Sequence, residues 1–420
     1  MSHVLLLPHG TAGDVLPYVW LGRQLIQHGH EVTMACVELF REAAEHAGLH
    51  FVAVEEDEFA ERMRHPTAWE PGKSMRLGHE FAGRCTVKYL AAVEESMRSH
   101  GIPHLILAPM ITFAARLLRE KLGVPFISTN LQPLPFVSAH EVPGGLPAVW
   151  WLRRLPLLLR KLILTHAAPY DRFALPAVRQ CCLEQGVRPP RSLRQEWYHS
   201  PDGVLALFPS WYAAPQPDWP NNTFQWDFPL EDMADLKPLA ADLTAFLNAG
   251  PKPLVFSLGS SNLHLRRFFE TVAAITAHLQ RRAVFVTRER QHLPSTLTES
   301  VFVTPYAALS VLLPRVEAMI HHGGIGTTSL CLAAGIPQLI TPLTFDQPDN
   351  AERVARLGAG LGADINKFTA KNGIPLLRRC LEDASIRQKA MECAQRLRQR
   401  RPVAELTAWL EERMHNPATR

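Results

Sequence analysis

The stretch richest in chemistry-bearing residues is Ala318-Met-Ile-His-His-Gly-Gly-Ile-Gly-Thr-Thr-Ser329. An apolar run ends at Ile320, and the glycines behind it let backbone come close to a ligand. Thr327 or Thr328 is placed to cap a helix running to about Ala334. Free N–H groups at such a helix start, together with the positive end of its dipole, suit a diphosphate, and His321 offers one more donor. The same string is also compatible with a plain strand-to-helix turn carrying two incidental histidines. Leu339-Ile-Thr-Pro342 reads as the next strand, with Thr344-Phe-Asp-Gln-Pro-Asp-Asn350 beyond its carboxyl end, where open α/β sheets bind ligands. Asp346 and Gln347 pair a carboxylate with an amide, which suits sugar hydroxyls, whereas Asp349 and Asn350 read as turn formers or caps.

A second group, His9-Gly10-Thr11-Ala12-Gly13-Asp14, follows the first apolar run of the chain. Asp14 is suited to capping the helix expected to start at Pro17. No Asp-x-Asp pair stands in the chain, so no metal ligand set is expected at the diphosphate. Leaving-group charge then falls to loop amides, a helix dipole and His321.

These groups need strands to hold them. His3–Pro8, Glu31–Cys36, His104–Ala108 and Pro125–Thr129 read as buried parallel strands separated by helical stretches. A second series begins at Pro253–Leu258 and continues at Ala283–Thr287, Ala318–Ile320 and Gln338–Thr341. Such alternation implies doubly wound α/β domains. The Pro-rich interval 208–235 is expected to link one such domain, 1–207, to another, 236–385, and 386–420 is expected to be terminal helices packing back on the first domain.

With 420 residues, 47% of them hydrophobic and 20% charged, two or three domains with real cores are affordable and a disordered chain is excluded. A charge of +4, from 44 basic and 40 acidic side chains, is too small to make nucleic acid a partner. Seven scattered cysteines without a C-x-x-C read as reduced thiols in a cytoplasmic protein. No secretory leader is legible and no apolar run reaches ~18 uncharged residues. Pro147–Ile163 is apolar, aromatic and basic together. Three readings stand for it: a pocket wall for an amphiphilic acceptor built on Trp150, Trp151, Arg153 and Arg154, a helix lying peripherally on anionic lipid, or an ordinary helix burying its leucines.

Taken in order, His321-His-Gly-Gly-Ile-Gly-Thr-Thr328, Gly335-Ile-Pro337, Asp346-Gln347 and Asn350-Ala351 closely resemble the donor-site signature of GT-B glycosyltransferases of the UDP-glycosyltransferase superfamily. Gly10-Thr-Ala-Gly-Asp14-Val-Leu-Pro17 looks like its bacterial branch. Leu207–Pro220 and Tyr306–Pro314 resemble the rhamnosyltransferases of bacterial rhamnolipid synthesis. The resemblance implies two Rossmann-like domains, 1–207 binding the acceptor and 236–385 the nucleotide sugar, facing an interdomain cleft that closes on the donor. It implies diphosphate contacts at His321, Gly324, Gly326, Thr327 and Thr328, and sugar contacts at Asp346 and Gln347. A donor-facing loop is implied at Ser257, Gly259, Ser260 and Ser261, and base recognition near Tyr306. The resemblance makes Asp14 the acceptor base in a loop formed with His9, Gly10, Thr11 and Gly13, with His9 a second candidate base should Asp14 serve only as a cap. A solvated aspartate has a pKa of about 3.9, so its surroundings must raise that value or fix its geometry. The expected reaction is inverting, metal-independent transfer without a cofactor. Its co-substrate is a nucleotide sugar, dTDP-L-rhamnose in the first place and UDP-glucose in the second, and its acceptor a lipid-like alcohol. A nucleotide-sugar epimerase on the same fold is a further alternative.

Overall fold

A computed structural model describes residues 1–54, 68, 70, 72–144, 146, 149–259 and 265–415. The chain divides into two units: one comprises the chain up to Pro229 together with the segment from Arg401, and the other Leu230–Arg400.

The first unit carries a seven-stranded parallel sheet of β1 (His3–Leu6), β2 (Glu31–Val37), β3 (His50–Val54), β4 (Leu105–Ala108), β5 (Phe126–Asn130), β6 (Val204–Leu207) and β7 (Thr223–Trp226), in the order β3-β2-β1-β4-β5-β6-β7. Its central strands are buried end to end because helices cover both faces, which is why they read as continuous apolar runs. Its helices include α1 (Ala12–Gln27), α2 (Lys73–His100), α3 (Phe113–Leu122), α4 (Val149–Leu152), α5 (Leu157–His166) and α6 (Asp171–Glu184). In the second unit β8 (Leu254–Ser257), β9 (Ala283–Val286), β10 (Val301–Thr304), β11 (Ala318–His321), β12 (Gln338–Ile340) and β13 (Gly360–Gly362) form a parallel sheet ordered β10-β9-β8-β11-β12-β13. Its helices include α7 (Leu265–Leu279), α8 (Ile325–Ala334), α9 (Gln347–Leu357) and α10 (Ala384–Arg398), and α11 (Val403–His415) then returns to the first unit.

In each sheet the chain builds outward from its first strand and then crosses back to the other side. The strand order reverses between β1 and β4 in one sheet and between β8 and β11 in the other. Such switch points open a crevice at the carboxyl ends of the strands.

Three local expectations are placed differently by the structure. Helix α1 starts at Ala12 and carries Pro17 inside it, because Thr11 and Asp14 form a capping box five residues earlier than the proline. The Pro-rich interval 208–235 holds β7, whose place on the sheet edge tolerates the prolines and turn residues beside it. The tail from 386 is shared: α10 packs on α8 within the second unit, where the Cβ of Ala394 approaches Gly335. In contrast, α11 joins the first unit, with Trp409 stacked on Phe224 at 4.9 Å and Glu411 bonded to His30 at 3.0 Å.

Candidate active site

In the second unit, Ser257 at the end of β8 lies opposite His321 at the end of β11, which lies opposite Ile340 at the end of β12. The loops leaving these three strands therefore stand side by side at the switch point. His321 is wholly buried. Its Nδ1 accepts the Gly323 N–H at 3.1 Å, so its proton sits on Nε2 and is donated to Gln338 Oε1 at 2.9 Å. Burial, reinforced by His322, drives its pKa down to about 3. Both ring nitrogens are thus used inside the protein, and the ring braces the glycine loop from beneath.

His322 is the first residue past the strand, and its ring fills the space that two glycines leave. A Cβ on Gly259 would lie 2.8 Å from His322 Cε1, and one on Gly324 2.8 Å from its Nε2. Gly259 also has φ +63°, which favours glycine on backbone grounds. The His322 Nδ1 has no hydrogen-bond partner, and burial lowers its pKa to about 4, so the ring is neutral at pH 7.

Gly324 caps α8, in place of Thr327 or Thr328. The first bond along the helix runs from the Thr328 N–H to Gly324 O at 3.0 Å, so the Ile325, Gly326 and Thr327 amides precede the ladder at the positive end of the dipole. Gly326 and Thr327 are half-exposed there. Thr328 points inward: it is buried, its hydroxyl lacks a partner, and its carbonyl accepts from Gln338 Nε2 at 3.4 Å.

The third loop is strained and tied to the second. Phe345 sits at φ +57°, unusual for an aromatic residue, and presents Asp346 at the start of α9. Gln347 is buried, and its Oε1 accepts the Leu343 and Thr344 N–H groups at 2.8 and 3.1 Å. Asn350, fully buried, donates through Nδ2 to Asp346 Oδ2 at 2.7 Å and to Gly323 O at 2.9 Å. One amide thereby fixes the carboxylate of one loop to the backbone of the other. Asp349 is taken up by a buried ion pair with Arg353 at 2.7 Å.

In the first unit the loop after β1 occupies the other switch point. Tyr89 donates to Pro8 O at 2.5 Å and Thr112 to Leu7 O at 3.1 Å, so the loop is pinned from two sides. His9 is buried against Phe81 and Tyr89, with ring centroids 5.4 and 5.9 Å away. Asp14 Oδ2 accepts the Thr11 N–H at 2.8 Å and the Thr11 hydroxyl at 3.1 Å. Gly10 has φ +131°, and a Cβ there would lie 2.4 Å from Asp14 Oδ2. Only glycine lets the loop turn this tightly over that carboxylate.

Comparison with known proteins shows the family. Residues 4–135 match the glycosyltransferase family 28 N-terminal domain, and residues 271–412 the erythromycin biosynthesis protein CIII-like C-terminal domain. Glycosyltransferase GtfC of Amycolatopsis orientalis is 30% identical over 378 residues, covering 86% of each chain. The chain is a GT-B glycosyltransferase of the UDP-glycosyltransferase superfamily. The O-mycaminosyltylonolide 6-deoxyallosyltransferase of Streptomyces fradiae is 28% identical over 415 residues, covering 95% of this glycosyltransferase and 92% of the relative. The spinosyn rhamnosyltransferase SpnG, solved with thymidine diphosphate, shares the fold with a TM-score of 0.64 at 18% identity, covering 97% of this chain and 100% of that one.

Within this glycosyltransferase the remaining expected site residues fall as follows. Ser257 accepts the Gly259 N–H at 3.2 Å, and both border the His322 ring's loop, whereas Ser260 and Ser261 lie outside the described residues. The Tyr306 hydroxyl donates to Asp232 O at 2.5 Å, and burial pushes its pKa up to about 12, so the phenol is a neutral internal anchor and only its ring remains to meet a base. Thr11 and Gly13 are half-exposed beside Asp14. Trp150 and Trp151 are exposed, Arg154 lies over the Trp150 ring at 5.5 Å, and Arg153 turns inward to Val142 O at 2.8 Å. Leu158, Leu159 and Leu162 are also exposed, whereas Leu152 and Leu164 are buried in a small core with Leu155, Leu157 and Ile163 packed against it. No helix among the described residues is long and apolar enough to cross a membrane. Sequence reasoning undervalued His322 and Asn350. The available signal for His322 was the strand boundary: β11 ends at His321, which consigns that side chain to the interior.

Proposed function

We propose that this glycosyltransferase moves a sugar, with inversion, from a nucleoside-diphosphate donor to the hydroxyl of a lipid-like acceptor, using no metal ion at the diphosphate. The observation that carries this reading is the α8 amino terminus, where unbonded amides stand beside His322 in a cradle that Gly259 and Gly324 keep open. Those amides and the His322 ring replace His321 as the groups assigned to the diphosphate, since His321 spends both nitrogens internally. Asp346, held by Asn350, and Gln347, whose Oε1 is occupied, serve the sugar through the carboxylate and the Nε2 amide. As the anomeric C–O bond to the diphosphate breaks, the acceptor oxygen bonds to that carbon and its proton passes to Asp14. Charge leaving with the diphosphate is met by the helix dipole.

Thymidine diphosphate and rhamnose are the first donor choice, in line with the Leu207–Pro220 resemblance and with SpnG. The exposed Trp150, Trp151, Leu158, Leu159 and Leu162, bordered by Arg154 and Lys161, support a lipid-like acceptor presented at the inner face of a membrane. UDP-glucose is the second reading for the donor, because Asp346 and Gln347 offer the same bonds to either sugar. The test supplies purified enzyme, in chelator, with equal dTDP-L-rhamnose and UDP-glucose and a mono-rhamnosylated hydroxyalkanoyl lipid, and weighs the product by mass spectrometry. A deoxyhexose increment is expected. A hexose increment overturns the donor, and donor isomerisation without transfer overturns the whole reading in favour of an epimerase.

A further inference from the structure

We propose that Glu31, His50 and His100 form a binding site for a zinc-class divalent cation at the amino-terminal edge of the first unit's sheet, remote from the Asp14 loop at its carboxyl edge. Glu31 opens β2, His50 opens β3 and His100 closes α2, so the fold gathers three elements that are far apart in sequence. Glu31 Oε1 lies 3.4 Å from His50 Nε2 and 3.6 Å from His100 Nε2, and one ligand atom from each residue lies within 4.8 Å of the others. With metal–ligand bonds of about 2.0–2.2 Å, the edge of a tetrahedral site is roughly 3.3–3.6 Å. Two of the three edges already have that length. The third needs only a rotation of the His50 ring, whose side chain is 54% exposed.

The neighbouring groups favour the same assignment. His100 Nδ1 faces Ser96 O at 3.3 Å, and a carbonyl only accepts, so the proton belongs on Nδ1 and the Nε2 lone pair turns towards Glu31. His3 stacks on His100 at 5.5 Å. Two imidazoles and one carboxylate select zinc, cobalt or nickel over magnesium or calcium, and the exposed His50 leaves a fourth position to water. β3 pairs only with β2 and is an edge strand, so a cation here would fasten it to the carboxyl end of α2.

The test is a Co2+ titration of the full-length protein, stripped with EDTA and then dialysed free of it. The wild type is expected to develop the visible absorption of tetrahedral Co2+ at one equivalent, to lose it to Zn2+, and to melt at a higher temperature with Zn2+ but not with Mg2+. His50→Ala, a change at an exposed side chain, and His100→Gln are each expected to lower Co2+ affinity by ~10-fold or more. Equal affinity and stoichiometry in the wild type and both variants, or no saturation of the wild type below about 1 mM, overturns the proposal. Should His100→Gln fail to fold, His50→Ala alone decides between the two results.

Discussion

Replacing His321 and His322 one at a time by alanine should give two different defects, although the residues are adjacent. His321→Ala removes the acceptor of the Gly323 N–H and the donor to Gln338 Oε1 at a wholly buried position. Each buried group left without a partner costs about 1–3 kcal/mol, and the vacated ring volume adds to this. A loss of roughly 3–6 kcal/mol follows, which for a unit of this size lowers Tm by about 6–24 °C. His322→Ala empties a ring whose Nδ1 bonds to nothing in the protein, so stability should change little. If that ring donates to the donor's diphosphate, losing a hydrogen bond to a charged group costs about 1.5–3 kcal/mol, or ~10–150-fold in kcat/KM for the donor. The assay pairs thermal unfolding by circular dichroism with kinetics at varied donor concentration, run well below both transitions. His321→Ala with an unchanged Tm and a lost kcat/KM, or His322→Ala with a lowered Tm and normal kinetics, would refute the assignment.

Other outcomes follow from the same geometry. Asp14→Asn keeps the shape of the loop but removes the proton acceptor, so kcat should fall ~10²–10⁴-fold with dTDP binding unchanged; a variant retaining a tenth of the rate would move the base to His9. His321 and His322 titrate near 3 and 4 when folded against 6.5 when unfolded, so the unfolded chain takes up their protons first. Stability is therefore full above pH 6.5 and lost as pH falls through 4 towards 3, and a urea midpoint that stays constant from pH 7 to 4.5 would contradict those assignments. Leu158→Glu combined with Leu162→Glu changes only exposed side chains and should leave Tm within a degree or two while weakening co-sedimentation with anionic vesicles and raising the acceptor KM. Unchanged binding and KM would remove this face from the account.

Much of the fold was legible because parallel strands buried on both faces announce themselves as apolar runs, as at Val4–Leu7 and Leu254–Leu258. The site was legible at the level of loops, since glycines at 10, 259, 323 and 324 mark places where backbone, ring or carboxylate approach too closely for a Cβ. What escaped was side-chain direction. Whether His321 or His322 faces a ligand depends on where β11 stops, a one-residue question that composition does not answer. Asn350 looked like a turn former, yet its role lies in reaching Gly323, 27 residues away in sequence, which only the packed sheet brings near. Asp14 caps α1 through Thr11, and those bonds fix the position of the carboxylate to which the proposed proton transfer is assigned. β7 hid among prolines because an edge strand gives them room.

The central claim, that amides at the α8 amino terminus and His322 hold the donor diphosphate without a divalent ion, is met most directly by calorimetric titration with dTDP in EDTA. Gly324→Ala is the informative variant, because its backbone φ of −59° accepts alanine while the new Cβ would stand 2.8 Å from His322 Nε2 and push into the cradle. The account predicts that wild-type affinity is the same with EDTA and with added Mg2+, and that Gly324→Ala weakens it ~10-fold or more, about 1.4 kcal/mol. Affinity that collapses in EDTA, or a Gly324→Ala variant that binds dTDP as tightly as the wild type, would contradict it.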